Sequence, residues 1–355
     1  MNRTNHKKHF TNPMNANERI AALVSLGERL SQPDEFLEAL MQRTQYNNAW
    51  FTIENQKLAL GAIVQHFLQK DKLENWAAAY RLRPEGPGKT VGMVMAGNIP
   101  LVGFHDLVCT FVAGHKAQIK LSEKDQYLLP YLLKLLKEIA PGSEQYFEIV
   151  EKLQGFDAVI ATGSNNTARY FEAYFGKYPH IIRRNRNAVA VLTGRETADE
   201  LKELGKDIFR FFGLGCRNVS KLFLPTDYDF NALLETLHEY RDLVLHDKYK
   251  NNFDYNLALV MLNRTPYYNN GCVILQENPQ TASRIAMVHY EYYDSEKEVH
   301  EKIAATREEI QCVVGNSEQL SLPDTGLVPF GKSQEPGLAD YPDGVDVMRF
   351  MESLN

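Results

Sequence analysis

At 355 residues the chain is long enough for two domains, each with its own core, and its 44% hydrophobic and 24% charged residues are those of an ordinary globular protein. Thirty-nine basic against forty-five acidic side chains leave a net charge of -6, which gives no overall attraction to nucleic acid or to an anionic membrane surface. Four cysteines, Cys109, Cys216, Cys272 and Cys312, stand far apart with no CxxC and no Cys/His cluster of metal-ligand spacing, so the reading is thiols without a disulfide framework, no metal and a reducing, cytoplasmic compartment.

No apolar run approaches the ~18 residues of a membrane span, and the basic N-terminal stretch lacks the apolar centre of a secretory signal. Residues 1–15 show no periodicity and are expected to be poorly ordered, with Met14 an alternative start. From Ala16 to Ala79 apolar residues recur at helical spacing (Ile20, Leu23, Leu26, Leu30, then Phe36, Leu37, Leu40, Met41), which predicts a helical lead-in. Pro84, Gly86, Pro87 and Gly88 end it.

Beyond that break the elements alternate. Thr90–Ala96 is an apolar run suited to a buried parallel strand, and Pro100–Val112 reads as a nearly all-apolar helix. Strands are predicted at Ala117–Leu121, Phe156–Ala161, His180–Arg183 and Ala188–Leu192, and helices at Tyr127–Ile139 and Asn166–Phe175. This alternation predicts an α/β fold with a doubly wound parallel sheet. From Thr197 a helix places Ala198, Leu201, Leu204, Ile208, Phe211 and Phe212 on one face, and Gly213 and Gly215 end it before a new strand at Lys221–Leu224. A second α/β segment runs to about Leu320. From Pro323 the chain is rich in Pro and Gly but keeps apolar residues such as Phe330, Val347 and Phe350 that need burial.

GxGxxG, GxxxxGK[ST], HExxH and GxSxG are all absent, which removes the usual dinucleotide dehydrogenases, kinases, zinc proteases and serine hydrolases. Three loops remain as carriers of chemistry. In Ala96-Gly97-Asn98-Ile99-Pro100 the Asn98 amide is placed either to donate into a crevice or to cap the following helix, with Pro100 in its first turn. Thr162-Gly163-Ser164-Asn165 opens a helix and suits a phosphate or an ordinary cap. In Gly213-Leu-Gly-Cys216-Arg217-Asn218 the cysteine lies in a polar, glycine-flanked loop, whereas Cys109, Cys272 and Cys312 sit in apolar segments and read as core. Arg217 and Lys221 would lower its pKa, and the negative end of the preceding helix would raise it.

The succession AGNIP, an apolar helix, a strand ending in Lys120-Leu-Ser-Glu123, ATGS and a helix leading to the cysteine loop resembles the aldehyde dehydrogenase superfamily in order and spacing. The wording AGNIPLVGFHDLV, KLSEKD, HDKYKNNFDYN and PFGKSQEPGLADYPDGVDVMRFM is similar to its acyl-CoA reductase branch, the fatty-acid reductases of bacterial luminescence. The resemblance runs from about Met14 to Phe350. It implies two doubly wound parallel-sheet domains with a helical N-terminal segment: a nicotinamide-binding domain over 16–195 with part of 323–355, and a catalytic domain over 196–322.

The same resemblance makes Cys216 the nucleophile, Asn98 the oxyanion-stabilising amide, Lys120 and Glu123 the ribose contacts, and Gly163 with Ser164 the pyrophosphate turn. The implied reaction is NADPH-dependent reduction of an acyl-CoA or acyl-protein thioester to a fatty aldehyde through an acyl-enzyme. Aldehyde-oxidising members carry a Glu-Leu-Gly-Gly run where this chain has Asn185–Ala190, without a carboxylate, which favours reduction over water-driven release of acid. Glu123 would repel a 2′-phosphate and fits NADH, while the branch implies NADPH and Lys124 offsets the repulsion. An acyl phosphate would undergo the same carbonyl chemistry. An acyl-accepting subunit partnered with an acyl-protein synthetase is the non-enzymatic alternative. The chain between Tyr80 and Val91 is too short for the oligomerisation hairpin of many superfamily members, so their quaternary structure is not carried over and an oligomer is left open.

Overall fold

Polar caps and apolar periodicity together build the helical lead-in. The computed structural model describes residues 13–355. Helix α1 (Ala16–Leu30) begins on a capping box in which Asn15 accepts from the Glu18 N–H and Glu18 accepts from the Asn15 N–H. Of the stretch 1–15 expected to be poorly ordered, residues 1–12 lie outside the described residues. At its end the expectation is corrected: Met14 is buried and its carbonyl accepts from Arg19 and from the Tyr146 hydroxyl. Helices α2 (Glu35–Asn47), α3 (Ile53–His66) and α4 (Lys70–Ala77) follow. The wholly buried Arg19 also donates to the carbonyls of Arg83 and Val112, which locks α1 to the chain on either side of the first strand.

The chain divides into two compact units: residues up to Thr44, Lys57–Arg183 and Asp346–Asn355 form one, and Gln45–Gln56 with Arg184–Val345 the other. The first unit holds β1 (Thr90–Val94), α5 (Phe104–Ala113), β2 (Lys116–Lys120), α6 (Leu128–Ile139), β3 (Phe147–Ile149), β4 (Ala158–Thr162), α7 (Asn165–Phe175) and β5 (His180–Arg183). Its five strands are all parallel, in the order β3-β2-β1-β4-β5. The order reverses between β1 and β4, so the loops that follow these two strands flank the crevice at which such sheets bind ligands.

The second unit holds β6 (Asn187–Val191), α8 (Ala198–Phe209), β7 (Val219–Pro225), α9 (Phe230–Leu237), α10 (Asp247–Leu262), β8 (Tyr268–Asn269), β9 (Ile274–Glu277), β10 (Met287–Tyr293), α11 (Glu296–Ala305), β11 (Ile310–Val314) and β12 (Leu327–Val328). Its sheet runs β12-β11-β6-β7-β10-β9-β8 and is parallel except for the β8–β9 pair. Apolar residues fill the central strands because both faces are covered: Ala188, Ala190, Leu222, Leu224 and Val288 pack to one side, Val189, Val191 and Phe223 to the other.

The division departs from the one read off the sequence. β6 pairs with β7 and β11, so the boundary falls at Arg183 rather than near residue 195. Residues 323–345 stay with the second unit through β12, and only the last ten residues, with α12 (Val347–Glu352) packed on α5, join the first. Among the described residues no helix is long and apolar enough to cross a membrane, and no group of three or more His, Cys, Asp or Glu side chains is placed to hold a metal ion.

Candidate active-site loops

In the first unit the Asn98 loop follows β1. The helix expected from Pro100 starts only at Phe104, with Gly103 as its N-cap. The delay has a cause: Leu101 sits in the left-handed region at φ 57, and its N–H donates to Asp125 Oδ2 at 2.7 Å. Asn98 is therefore five residues ahead of the N-cap and does not cap α5; it is partly exposed in an irregular turn. Gly97 lies against the next loop so closely that a Cβ would collide with the Ser122 hydroxyl and come within 3.1 Å of Lys124 Cβ.

Lys120 ends β2 and Glu123 follows in the turn, and both are exposed. Ser164 is the N-cap of α7: its hydroxyl accepts from the Thr167 N–H at 3.2 Å. The capping role considered from the sequence is thus present. The hydroxyl also lies 2.9 Å from the Thr167 hydroxyl, at the helix end whose dipole favours an anion. Gly163 is required on local grounds, since a Cβ there would lie 2.9 Å from Phe171 and 3.0 Å from Thr167. Beneath the crevice, Asp106 in the first turn of α5 forms a buried two-pronged ion pair with Arg183 at the end of β5.

In the second unit, α8 stops at Phe209, one turn earlier than the periodicity predicts. Phe211, Phe212 and Gly213 are all left-handed, at φ 54, 57 and 74. Both phenylalanines are nevertheless buried, and Phe212 packs its ring against Trp50 and His246. Burial of the rings and one side chain, Asn218, hold this costly conformation. The Asn218 amide is 1% exposed; it donates to the carbonyls of Asp207, Ile208 and Arg210 and accepts from the Gly215 N–H at 2.8 Å. It thereby ties off the carbonyl end of α8 and pins the loop on which Cys216 rides.

Cys216 is partly exposed, and the other three cysteines are buried. Burial pushes the Cys109 thiol far up, the Cys272 thiol up to about 11 and the Cys312 thiol up to about 11, so these three stay protonated near neutrality. Arg217 lies near Cys312 and opposes its shift, and it donates to the Asp340 carbonyl at 2.9 Å. The expectation that Lys221 assists the nucleophile fails. Its ammonium is buried on β7 and committed to Glu291 at 2.6 Å and the Pro279 carbonyl at 2.7 Å.

No protein-family model matches the chain, and none of the curated proteins matches it. Solved structures do. Aldehyde dehydrogenase 21 from Physcomitrella patens, in complex with succinate, superposes with a TM-score of 0.67 at 13% identity over 96% of this chain and 84% of that one. A putative aldehyde dehydrogenase from Burkholderia cenocepacia gives 0.62 at 15% identity over 81% and 72%. The NAD+ complex of the Bacillus cereus aldehyde dehydrogenase gives 0.59 at 16% identity over 81% and 69%. The chain has the aldehyde dehydrogenase fold.

Two further titratable groups of the second unit, His246 and Glu291, are engaged within it. His246 accepts from the Tyr249 N–H at the start of α10, contacts the Ala49 carbonyl through its other nitrogen at 2.9 Å and stacks on Trp50. Partial burial raises the Glu291 carboxyl, but hydrogen bonds and charge from Lys221 and Lys302 outweigh it and hold the group ionised. At the entry to β6, Arg186 pairs with Asp343 at 3.2 Å.

Sequence reasoning passed over Asp125, Asn218 and Asp207. Asp207, on α8, is fully buried and accepts from the N–H groups of Gly331 at 2.7 Å and Ser333 at 2.9 Å, which seats the Pro-Gly-rich tail. Helical period and apolar runs give no signal for them, because Asp125 stands between Lys124 and Gln126, Asn218 follows Arg217 in a polar loop and Asp207 follows Lys206.

Proposed function

We propose that this chain reduces an acyl thioester to an aldehyde through a Cys216 acyl-enzyme, with NADPH as the first-choice reductant and NADH the second. The observation that supports this best is the contrast among the thiols: Cys216 is partly exposed on a pinned, glycine-flanked loop, and the other three are buried and held protonated. In this reading the Cys216 sulfur attacks the thioester carbonyl, the Asn98 amide is the donor assigned to the developing oxyanion, and coenzyme A or a carrier-protein thiol leaves. The nicotinamide, when bound, supplies the hydride that releases the aldehyde.

The residues of the first unit suit that cofactor. Lys120 and Glu123 are exposed on the turn after β2 for the ribose, and Gly163 and Ser164 open α7 next to the switch between β1 and β4 for the pyrophosphate. The absence of a carboxylate over Asn185–Ala190, with His246 and Glu291 engaged elsewhere, supports hydride over water as the acceptor of the acyl group.

The test is incubation with a tetradecanoyl thioester. A stable acyl adduct on Cys216 by mass spectrometry, discharged to aldehyde by NADPH or NADH, is the expected result. A label on another cysteine, or rapid release of free acid, would reject it. Discharge of an acyl phosphate in place of the thioester would reassign the leaving group, and acylation without reduction by either nicotinamide would leave an acyl-accepting subunit for an acyl-protein synthetase.

A further inference from the structure

The turns carrying Asn98 and Glu123 touch at two points, one on each side of Asn98. Ahead of it, Gly97 packs on Ser122 and Lys124 with no room for a Cβ. Behind it, the left-handed Leu101 donates its N–H to Asp125 Oδ2 at 2.7 Å. Asp125 itself is fixed within the Glu123 turn, its N–H donating to the Ser122 carbonyl at 3.0 Å. Its carboxylate is 7% exposed, and its second oxygen has no hydrogen-bond partner among the described residues. Asp125 lines a cavity of ≈ 10 Å³ together with Met95, Leu101, Phe104, Leu121 and Leu129, and no other charged residue lines it.

A half-satisfied buried carboxylate is an expensive way to secure one backbone N–H, and a neutral side chain would do so at lower cost. We propose that Asp125 is a positioning residue for the Asn98 amide, holding the Asn98 turn against the Glu123 turn through the Leu101 N–H. The inference rests on the reading of Asn98 as an oxyanion donor and goes beyond it by making the cofactor-side turn the support of that donor. A charged acceptor makes the stronger bond to an N–H. Burial raises the Asp125 carboxyl to about 6, with the Leu101 N–H opposing the shift, so the bond changes strength in the range where the enzyme would work.

The test uses the full chain with Asp125→Asn, which keeps an oxygen acceptor without the charge, and Asp125→Ala, which removes the acceptor. For the wild type, kcat is expected to fall through about pH 6 to a lower plateau. Asp125→Asn should sit on that plateau at every pH, ~3- to 10-fold below the wild type at pH 8, and Asp125→Ala should lose ~10²-fold, each with KM for the thioester little changed. In an Asn98→Ala background the same changes should cost almost nothing more, because their effect runs through Asn98. Full additivity, or a wild-type kcat in Asp125→Ala, overturns the proposal.

Hydrogen exchange at the Leu101 amide gives a readout free of activity: protection should fall in Asp125→Ala and persist in Asp125→Asn. Unchanged protection in Asp125→Ala overturns the proposal even if thioester reduction is established. Lost protection supports it even if the wild-type chain turns over no thioester, the result that would reject the functional reading alone.

Discussion

The Asn98 turn of the first unit and the Cys216 loop of the second solve one problem with opposite chemistry. Each contains left-handed non-glycine backbone, Leu101 in one and Phe211 with Phe212 in the other, and each is held by one buried polar side chain. Asn218 is neutral and uses both ends of its amide, donating to three carbonyls and accepting from one N–H. Asp125 is ionisable and has one oxygen partnered and one not. The satisfied amide makes a rigid loop indifferent to pH, while the half-satisfied carboxylate makes a turn whose grip changes with protonation.

The largest effect lies at the loop with the satisfied amide. Cys216→Ala should abolish both the acyl adduct and aldehyde formation, read by intact-mass spectrometry and by product analysis with labelled acyl-CoA, because the remaining thiols are buried and protonated. An undiminished adduct on that variant would remove the second unit's loop from the chemistry. Next, Asn98→Ala should lower the single-turnover rate ~10²- to 10³-fold with thioester binding nearly unchanged, the cost of one oxyanion donor. Were binding to weaken while the rate held, the amide would be a structural group and the two loops would not share a reaction.

Asn218→Ala should destabilise the second unit by about 2–4 kcal/mol in chemical denaturation, since the buried Gly215 N–H and the carbonyl end of α8 lose their partner. A loss equal at pH 5 and pH 8 is expected for a neutral amide. A pH-dependent loss would erase the contrast with Asp125.

The smallest effect is on the pH profile of stability. The folded Asp125 carboxyl titrates near 6 against 3.8 unperturbed, so the native state favours the protonated form. Its contribution is fully present below about pH 4 and is lost as pH rises through about 6, on the order of 3 kcal/mol between those limits. Asp125→Asn should remove that slope and gain stability at pH 7 relative to the wild type. Parallel denaturation curves for the two proteins from pH 4 to pH 7.5 would contradict the assignment.

Much of the molecule is legible in its sequence. Strands β1, β4 and β6 and helices α6, α7 and α8 announce themselves through apolar runs and helical spacing, because burial on a sheet or one helical face constrains neighbouring residues directly. Cys216 stood out from the other cysteines by its glycine-flanked, polar neighbours, and the structure leaves it the partly exposed one. Less legible were the ends of elements: the start of α5 and the end of α8 are set by Asp125 and Asn218, whose targets are not deducible from helical period.

The order of elements, the apolar character of the strands and the polar, glycine-flanked setting of Cys216 were determined by the sequence alone, since each depends on residues close together in the chain. The tertiary structure decided where one unit ends and the next begins, which strands β6 pairs with, and which polar groups are buried and what they hold. Those outcomes depend on partners such as Arg19 and Val112, Leu101 and Asp125, or Asp207 and Gly331, separated by 93, 24 and 124 residues. A buried hydrogen bond is worth making only once the rest of the core has excluded water around it, so its partner is selected by packing and not by local pattern.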